Sequence, residues 1–200
     1  MDIAYFKEKI DTGEENKLRV FADEIMSISV PWFFKHEFEE KASDFYDSFK
    51  TYMASKFEVA ANNIFVVGSA LLGFSLSPKK NYKLFDDTSD IDIVIVDEDL
   101  FKKYWDILFK DYSISVLNGD KYNKIAKDIF KRYIDTKDSY FTNKKEYIKL
   151  IKQTDNYAKD LQIKYHFPEK IGYRIYKSFS DYKINLIKNF FDLRYEEKVL

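Results

Sequence analysis

Apolar residues in the first part of the chain recur at helical spacing. Between Trp32 and Phe57 they lie three or four residues apart with charged residues between them, the pattern of an amphipathic helix. Pro31 lies at the start of this stretch, where proline is tolerated. The pattern predicts one helix over 32–57, within an N-terminal helical segment (1–60) that packs on a later core. Residues 1–17 are polar and are expected to be loosely held.

The pattern changes to short apolar runs between residues 61 and 120. Ile64–Val67 is wholly apolar, and Ile91–Val96 is apolar apart from one aspartate and rich in β-branched residues. Such runs are typical of strands covered on both faces. The acidic residues at 97–99 suit the first turn of a helix, and Tyr112–Leu117 is predicted as a third strand. Residues 61–120 are therefore expected to form the core.

Residues 121–200 return to a mainly helical pattern. An amphipathic stripe runs from Tyr122 to Tyr133. Leu161–Phe167 and Tyr173–Lys177 are predicted as the strands of a short β-hairpin, and the last helix is predicted to begin at Ser180, a residue suited to an N-cap. The predicted fold class is α+β, with a small mixed β-sheet flanked by N-terminal and C-terminal helices.

Composition excludes several kinds of site. The chain has no cysteine and two histidines, which excludes disulfides and thiolate sites and makes a histidine-rich zinc site implausible. Its formal net charge is −1, unlike the strongly basic domains that bind duplex nucleic acid. No apolar run approaches the ~20 residues of a membrane span, and the first residues do not resemble a secretion signal. We expect a cytoplasmic protein that does not bind membranes.

Two short motifs carry the candidate chemistry. Gly68-Ser69 follows the first predicted strand, where backbone N–H groups and a hydroxyl can bind a phosphate. Asp90 and Asp92 are two apart, so on a strand they point to the same face. Adjacent carboxylates repel each other without a cation, and hard oxygen ligands suit Mg²⁺. The alternative is that Ser89 and Asp90 cap the preceding loop and that Asp92 is a half-exposed edge residue.

Together these motifs resemble those of the polymerase-β-like nucleotidyltransferase superfamily. Phe65-Val66-Val67-Gly68-Ser69 is similar to its first motif, and Ser89-Asp90-Ile91-Asp92-Ile93 to its second. The segment Gly73-Phe74-Ser75-Leu76-Ser77-Pro78 is also similar to a group of small, stand-alone bacterial nucleotidyltransferase-like proteins, and Gly172-Tyr173-Arg174-Ile175-Tyr176 fits the same group. Outside these residues the resemblance is faint.

The resemblance implies transfer of a nucleoside monophosphate from a nucleoside triphosphate to an acceptor hydroxyl, with release of pyrophosphate. Asp90 and Asp92 would be the catalytic residues and would bind Mg²⁺, or Mn²⁺ in its place. Gly68, Ser69 and Ser89 would bind the nucleotide. The acceptor would be a protein or an RNA. Stand-alone members often serve bacterial toxin–antitoxin or phage-defence systems, so a partner protein or a homo-oligomer is also expected.

The chain departs from the superfamily pattern in two ways. The spacer between Ser69 and Asp90 is 20 residues, several more than usual, and includes Lys79, Lys80 and Lys83. It is either a loop over the phosphates or a solvated lysine loop. Active members of the superfamily also carry a third carboxylate on a later strand. The predicted third strand, 112–117, is the expected position and contains no carboxylate.

The candidates for that third carboxylate are Asp111, Asp120, Asp160 and Glu169, and the sequence does not choose among them. The alternative function is therefore a catalytically degenerate protein that binds nucleotide or RNA as a regulator or partner subunit, and a weaker one is a purely structural interaction protein. Arg174 is expected either to contact phosphate or to form a structural ion pair. His36 and His166 are expected to be ordinary packed or surface residues.

Overall fold

The computed structural model describes residues 1–113, 119–136, 145–168 and 170–197. Their helices and strands, in chain order, are α1 (Ile3–Thr12), α2 (Glu15–Met26), α3 (Trp32–Phe38), α4 (Ala42–Phe57), β1 (Ile64–Val67), α5 (Ser69–Leu72), β2 (Ile91–Val96), α6 (Glu98–Ser113), α7 (Gly119–Phe130), β3 (Tyr133–Asp135), α8 (Lys145–Tyr165), β4 (Ile171–Tyr176) and α9 (Phe179–Glu197). The chain is α+β, as predicted.

The strands form one mixed four-stranded sheet in the order β1-β2-β4-β3. β2 pairs with β1 in antiparallel and with β4 in parallel orientation, and β3 pairs with β4 in antiparallel orientation. Three of the predicted strands are confirmed: β1, β2 and β4, which begins two residues before the predicted Tyr173–Lys177. The sheet is not confined to 61–120, because β3 and β4 come from the C-terminal part of the chain.

Each face of the sheet is covered by helices, which explains the apolar strand sequences. One face packs against α3, α4, α6 and α8, and its strand residues are Ile64, Val66, Ile91, Ile93, Ile95, Ile134, Tyr173 and Ile175. Phe34 lies at the centre of this core, and its ring is close to those of Tyr46, Phe49 and Phe167. The chain is rich in aromatic residues, with 19 Phe and 16 Tyr, and much of this aromatic content is therefore core packing.

The opposite face carries both apolar and charged residues. Val67, Val94, Val96 and Tyr176 form a small buried cluster there, against which Tyr182 of α9 packs. Helix α9 also packs on α1 and α2 through a second cluster of buried residues. Because side chains alternate along a strand, Asp92 belongs to this face rather than to the larger core.

The helix predicted over 32–57 is interrupted. Glu39 has φ 47°, and a 3₁₀ turn at Glu39–Lys41 separates α3 from α4. This break lets the two helices pack on each other, and the rings of Phe38 and Phe45 stack at 4.1 Å between centroids. Apolar spacing continued across the turn, so the sequence pattern did not reveal it.

Two further predictions from sequence are wrong. Residues 1–17 are not loosely held, because α1 begins at the N-cap Asp2 and fully buries Phe6 and Ile10. Leu161–Phe167 is not a strand of a hairpin, since Leu161–Tyr165 ends α8. The alternation of apolar residues there was misleading. Leu161 and Tyr165, one helical turn apart, are buried, whereas Ile163 is 81% exposed.

The third predicted strand, Tyr112–Leu117, does not begin where expected. Tyr112 and Ser113 are the last residues of α6, and 114–117 lie outside the described residues. The amphipathic stripe predicted from Tyr122 to Tyr133 ends before Tyr133. Helix α7 ends at Phe130, and Tyr133 begins the three-residue strand β3.

The N-cap of α9 is Ser178 rather than Ser180. Its Oγ accepts a hydrogen bond from the backbone N–H of Asp181 at 3.1 Å and donates one to Oδ2 of Asp181 at 2.6 Å. We expect Ser178→Ala to destabilise the protein by about 1 kcal/mol, the usual effect of losing such a cap. Ser180→Ala, an exposed control one half-turn on, should leave the urea midpoint unchanged. Equal effects of the two substitutions would contradict this assignment.

Candidate functional site

A cleft of about 370 Å³ opens on the sheet face that carries Asp92. Its volume lies within the range of small-molecule sites. The lining comes from the end of β1, the 75–80 loop, β2, β3, β4 and α9. The residues are Val67, Gly68, Ser69, Ser75, Leu76, Ser77, Pro78, Lys80, Asp90, Asp92, Lys131, Tyr133, Arg174, Tyr176, Tyr182, Asn185, Leu186 and Asn189. Both sequence motifs therefore meet at one place.

Gly68 forms the sharp turn between β1 and α5. Its φ of 65° and ψ of −140° form a conformation that residues with a Cβ rarely adopt. A Cβ built on Gly68 would lie 3.5 Å from Oδ2 of Asp92, so the two motifs are in direct proximity. Ser69 follows at the start of α5 and is half-buried, with no hydrogen bond from its hydroxyl to another described residue.

Asp90 and Asp92 lie at the start of β2 and both line the cleft. Both residues are half-buried, and the Asp92 side chain is 26% exposed. Two carboxylates beside a phosphate site fit the usual protein contribution to Mg²⁺ binding, where substrate phosphates and water supply further ligands. Among the residues that the structure describes, no group of three or more histidine or acidic residues is placed to hold a metal on its own.

Arg174 combines the two roles that the sequence left open. On β4 it faces away from the larger core, and its guanidinium lies 3.5 Å from Oδ1 of Asp92 and 5.9 Å from the ring centre of Tyr133. Burial acts to lower the pKa of Arg174, but Asp92, followed by Tyr176, raises it above its ordinary value. Arg174 thus forms an ion pair, and it also lines the cleft.

Asp135 is an acidic residue near the site that the sequence reasoning missed. It ends β3 directly opposite Arg174, and residues opposite each other on neighbouring strands share a face of the sheet. It is buried, and its charge is among those that raise the pKa of Arg174. Asp92 and Asp135 therefore lie on the same face as Arg174.

Lys131 adds a second cation to the cleft. It sits in the turn between α7 and β3, is half-buried, and forms no ion pair with another described residue. Burial, followed by the positive charge of Lys127, lowers its pKa, against the opposing effect of Asp128. A partly buried cation of this kind favours an anionic ligand. The sequence offered no signal for it, because Lys131 looked like one lysine among many.

The lysine-rich spacer divides between two roles. Ser75 N–H donates to the Lys83 carbonyl at 2.9 Å and Phe85 N–H to the Gly73 carbonyl at 2.8 Å, so the loop is closed at its base. Lys83 is bound within it by an ion pair with Asp86 at 2.8 Å. Lys80, in contrast, lines the cleft, so the spacer brings one lysine to the site.

Ser89 lies behind the cleft rather than in its lining. It is buried, and its Oγ accepts a hydrogen bond from the backbone N–H of Asp86 at 3.0 Å. This contact matches the loop-capping alternative. Hydrogen bonds from Lys83 and then Thr88 hold the pKa of Asp86 below its ordinary value. A nucleotide contact by Ser89 stays a prediction.

The candidates for a third carboxylate are not brought to the cleft where they are described. Asp160 lies on α8 and accepts a hydrogen bond from Tyr52, on the opposite side of the sheet. The side chains of Asp111 and Asp120 and the whole of Glu169 lie outside the described residues. His36 stacks on Trp32 and His166 lies against Phe38, so both pack as expected on the surface of α3.

Comparisons of the chain with protein-family models, with curated proteins and with solved structures gave no significant match. Crossing a membrane would require a longer apolar helix than any that the described residues form. The cleft is therefore the basis for assigning a function.

Proposed function

We propose that the chain is a Mg²⁺-dependent nucleotidyltransferase that moves a nucleoside monophosphate from a nucleoside triphosphate to a protein or RNA acceptor. The observation that carries the proposal is the proximity of Gly68-Ser69 to Asp90 and Asp92 in a cleft that also holds Arg174. Taken alone, neither the pair of aspartates nor the Gly68-Ser69 turn is strong evidence for a ligand site. Their convergence on one face of one cleft supports a shared ligand.

The cleft offers separate partners for a cation and for an anion. Asp90 and Asp92 would hold Mg²⁺, which when bound would neutralise phosphate charge and polarise the reacting oxygens. Ser69 would donate to a terminal phosphate oxygen, while Arg174 and Lys131 would supply charge-assisted hydrogen bonds. These side chains, rather than a helix dipole, would bind the phosphates, because α5 has four residues and too few aligned peptide units for a strong dipole.

The reaction would require little beyond positioning and charge. The acceptor hydroxyl oxygen would bond to the α-phosphorus and lose its proton to solvent, the bond from the α-phosphorus to the α–β bridging oxygen would break, and pyrophosphate would leave. The protein would hold the triphosphate in line with the acceptor at the open mouth of the cleft. A cytoplasmic location, a role in toxin–antitoxin or phage defence, and a partner protein or second copy belong to this proposal through the family resemblance.

The proposal is tested with triphosphates labelled on different phosphates. The protein is incubated with Mg²⁺, a bacterial extract and each nucleoside triphosphate, carrying ³²P on either the α- or the γ-phosphate. We expect the α-label to enter a protein or RNA band and the γ-label to stay in solution. EDTA should abolish the labelling. Labelling from the γ-phosphate would indicate a kinase, and absence of binding by every triphosphate would refute the proposal.

A second function is favoured by one observation, the ion pair between Arg174 and Asp92 at 3.5 Å. On β4, next to the aspartate-bearing strand, Gly172 pairs with Asp92 and is followed on the same face by Arg174. An arginine there partly neutralises the carboxylate that Mg²⁺ needs. The chain would then bind nucleotide or RNA without catalysis, as a regulator or partner subunit. Calorimetric binding of a triphosphate with no α-label transferred would support this alternative.

Lys131 provides a quantitative test of the anion site. Lys131→Ala should weaken triphosphate binding by about 10- to 150-fold, because a charge-assisted hydrogen bond contributes about 1.5–3 kcal/mol. Lys159→Ala, on the exposed face of α8, is the matched control and should change affinity little. Isothermal titration with a non-hydrolysable triphosphate measures both. Equal affinities of wild type and Lys131→Ala would exclude Lys131 from the phosphate site.

A further inference from the structure

Asn185 lines the cleft, and hydrogen bonds hold its side-chain amide in one orientation. Its Nδ2 donates to the backbone carbonyl of Lys131 and to that of Asp181, each at 2.8 Å. Both hydrogens of the amide are therefore used. Turning the amide over would place Oδ1 against two carbonyl oxygens, so the network allows one orientation. Oδ1 is left with no hydrogen bond to another described residue.

Aromatic side chains border Asn185 in the cleft, beside the cations Lys131 and Arg174. Tyr182 lies one turn earlier on α9, and Tyr133 follows Lys131 into β3, so half-buried aromatic rings border the same part of the cleft. The ring of Tyr176 lies between them, 5.2 Å from Tyr133 and 5.4 Å from Tyr182. Aromatic faces stack on nucleobases. The amide oxygen of Asn185, beside these rings, can accept a hydrogen bond from an N–H group at the edge of a stacked base.

We propose that Asn185 Oδ1 accepts a hydrogen bond from the exocyclic amino group of the nucleobase and so selects adenine and cytosine over hypoxanthine and uracil. This inference rests on the proposed function, since it places a nucleoside triphosphate in the cleft. Hypoxanthine and uracil carry a carbonyl where adenine and cytosine carry the amino group. That carbonyl faces the fixed oxygen of Asn185 and leaves both acceptors unpaired, which a site built to bind a donor rejects. Asn185 is thereby a specificity-determining residue.

The test compares nucleotides that differ at this one position. Calorimetry with Mg²⁺ is run on the whole chain with ATP and ITP, with CTP and UTP, and with inorganic tripolyphosphate. The wild type should bind ATP over ITP, and CTP over UTP, by about tenfold each. Asn185→Ala should bring both ratios close to one while leaving tripolyphosphate binding within about twofold of wild type. Asn123→Ala, on the exposed face of α7, should preserve the wild-type ratios.

The outcomes separate this inference from the proposed function. Binding of all four nucleotides with equal affinity to wild type, or ratios that survive Asn185→Ala, would overturn the role of Asn185 and leave the transferase proposal intact. Failure of every nucleotide to bind would overturn both. An Asn185-dependent loss with 2′-deoxy-ATP, together with equal affinities for ATP and ITP, would place the ribose against Oδ1 and refute the base contact.

A second variant covers the contribution of Asn185 to folding. Its two bonds to carbonyls join α9 to the turn before β3, so Asn185→Ala is expected to lower the melting temperature. Asn185→Ser keeps a hydroxyl that can donate to the Asp181 carbonyl four residues earlier. It lacks the projecting amide oxygen and should also lose the base preference. Retention of the ATP over ITP ratio in a folded Asn185→Ser protein would contradict the proposal.

Discussion

Replacing Asp92 with asparagine is expected to abolish nucleotide transfer while the chain stays folded. Asparagine keeps the shape that packs beside Gly68, but it removes the charge that would bind the cation and that pairs with Arg174 at 3.5 Å. Loss of one electrostatic contact at a reacting centre lowers the rate by about 100-fold or more. The two side chains are 26% and 35% exposed, so solvent screens the pair only in part and we expect a stability loss of about 1–2 kcal/mol.

The measurement is transfer of α-label, read beside thermal unfolding of each variant. Asp90→Asn should behave as Asp92→Asn does, because both residues line the cleft. Asp106→Asn is the matched control. Asp106 forms a surface ion pair at 2.8 Å with Lys102, which lies one turn earlier on α6. Loss of this ion pair should change neither activity nor stability appreciably. A folded Asp92→Asn protein with wild-type transfer would refute the catalytic assignment.

Parts of the site that depend on local sequence could be predicted. β1 and β2 are apolar, rich in β-branched residues and bounded by polar turns, so their position follows from composition over a few residues. Period-two alternation then predicted that Asp90 and Asp92 point to the same face, and both line the cleft. The start of α6 could also be predicted from its acidic residues. In the structure, Asp97 Oδ1 accepts a hydrogen bond from the Leu100 N–H at 2.7 Å.

What could not be predicted depends on contacts distant in sequence. Asp135 reaches Arg174 only because β3 pairs with β4, and a three-residue strand after a helix has too few positions for a recognisable alternation. Lys131 and Asn185 meet through a hydrogen bond between residues 54 positions apart. The break at Glu39 was hidden for another reason, because apolar spacing records burial and not backbone dihedral angles.

Gly68→Ala is expected to lower both stability and activity. The residue has φ 65° and ψ −140°, a conformation that costs alanine about 1–3 kcal/mol. Space is not the cause, since a Cβ would lie at an ordinary contact distance, 3.5 Å, from Asp92 Oδ2. The chain relieves the strain by moving Ser69 relative to Asp92. Because a displacement of about 1 Å can cost about 100-fold in rate, transfer per folded molecule should fall by at least about tenfold.

Gly73→Ala separates the two effects. Gly73 also has a positive φ, 87°, and a Cβ there would lie 2.9–3.0 Å from the ring of Trp32, so strain and overlap both apply. The urea midpoint should therefore fall further than in Gly68→Ala. Gly73 follows α5 and, unlike Gly68, is not among the residues that line the cleft, so each folded molecule should retain more transfer. If Gly68→Ala instead transfers nucleotide at the wild-type rate per folded molecule, this turn positions nothing in the reaction, and the pairing of Gly68-Ser69 with Asp92 is structural.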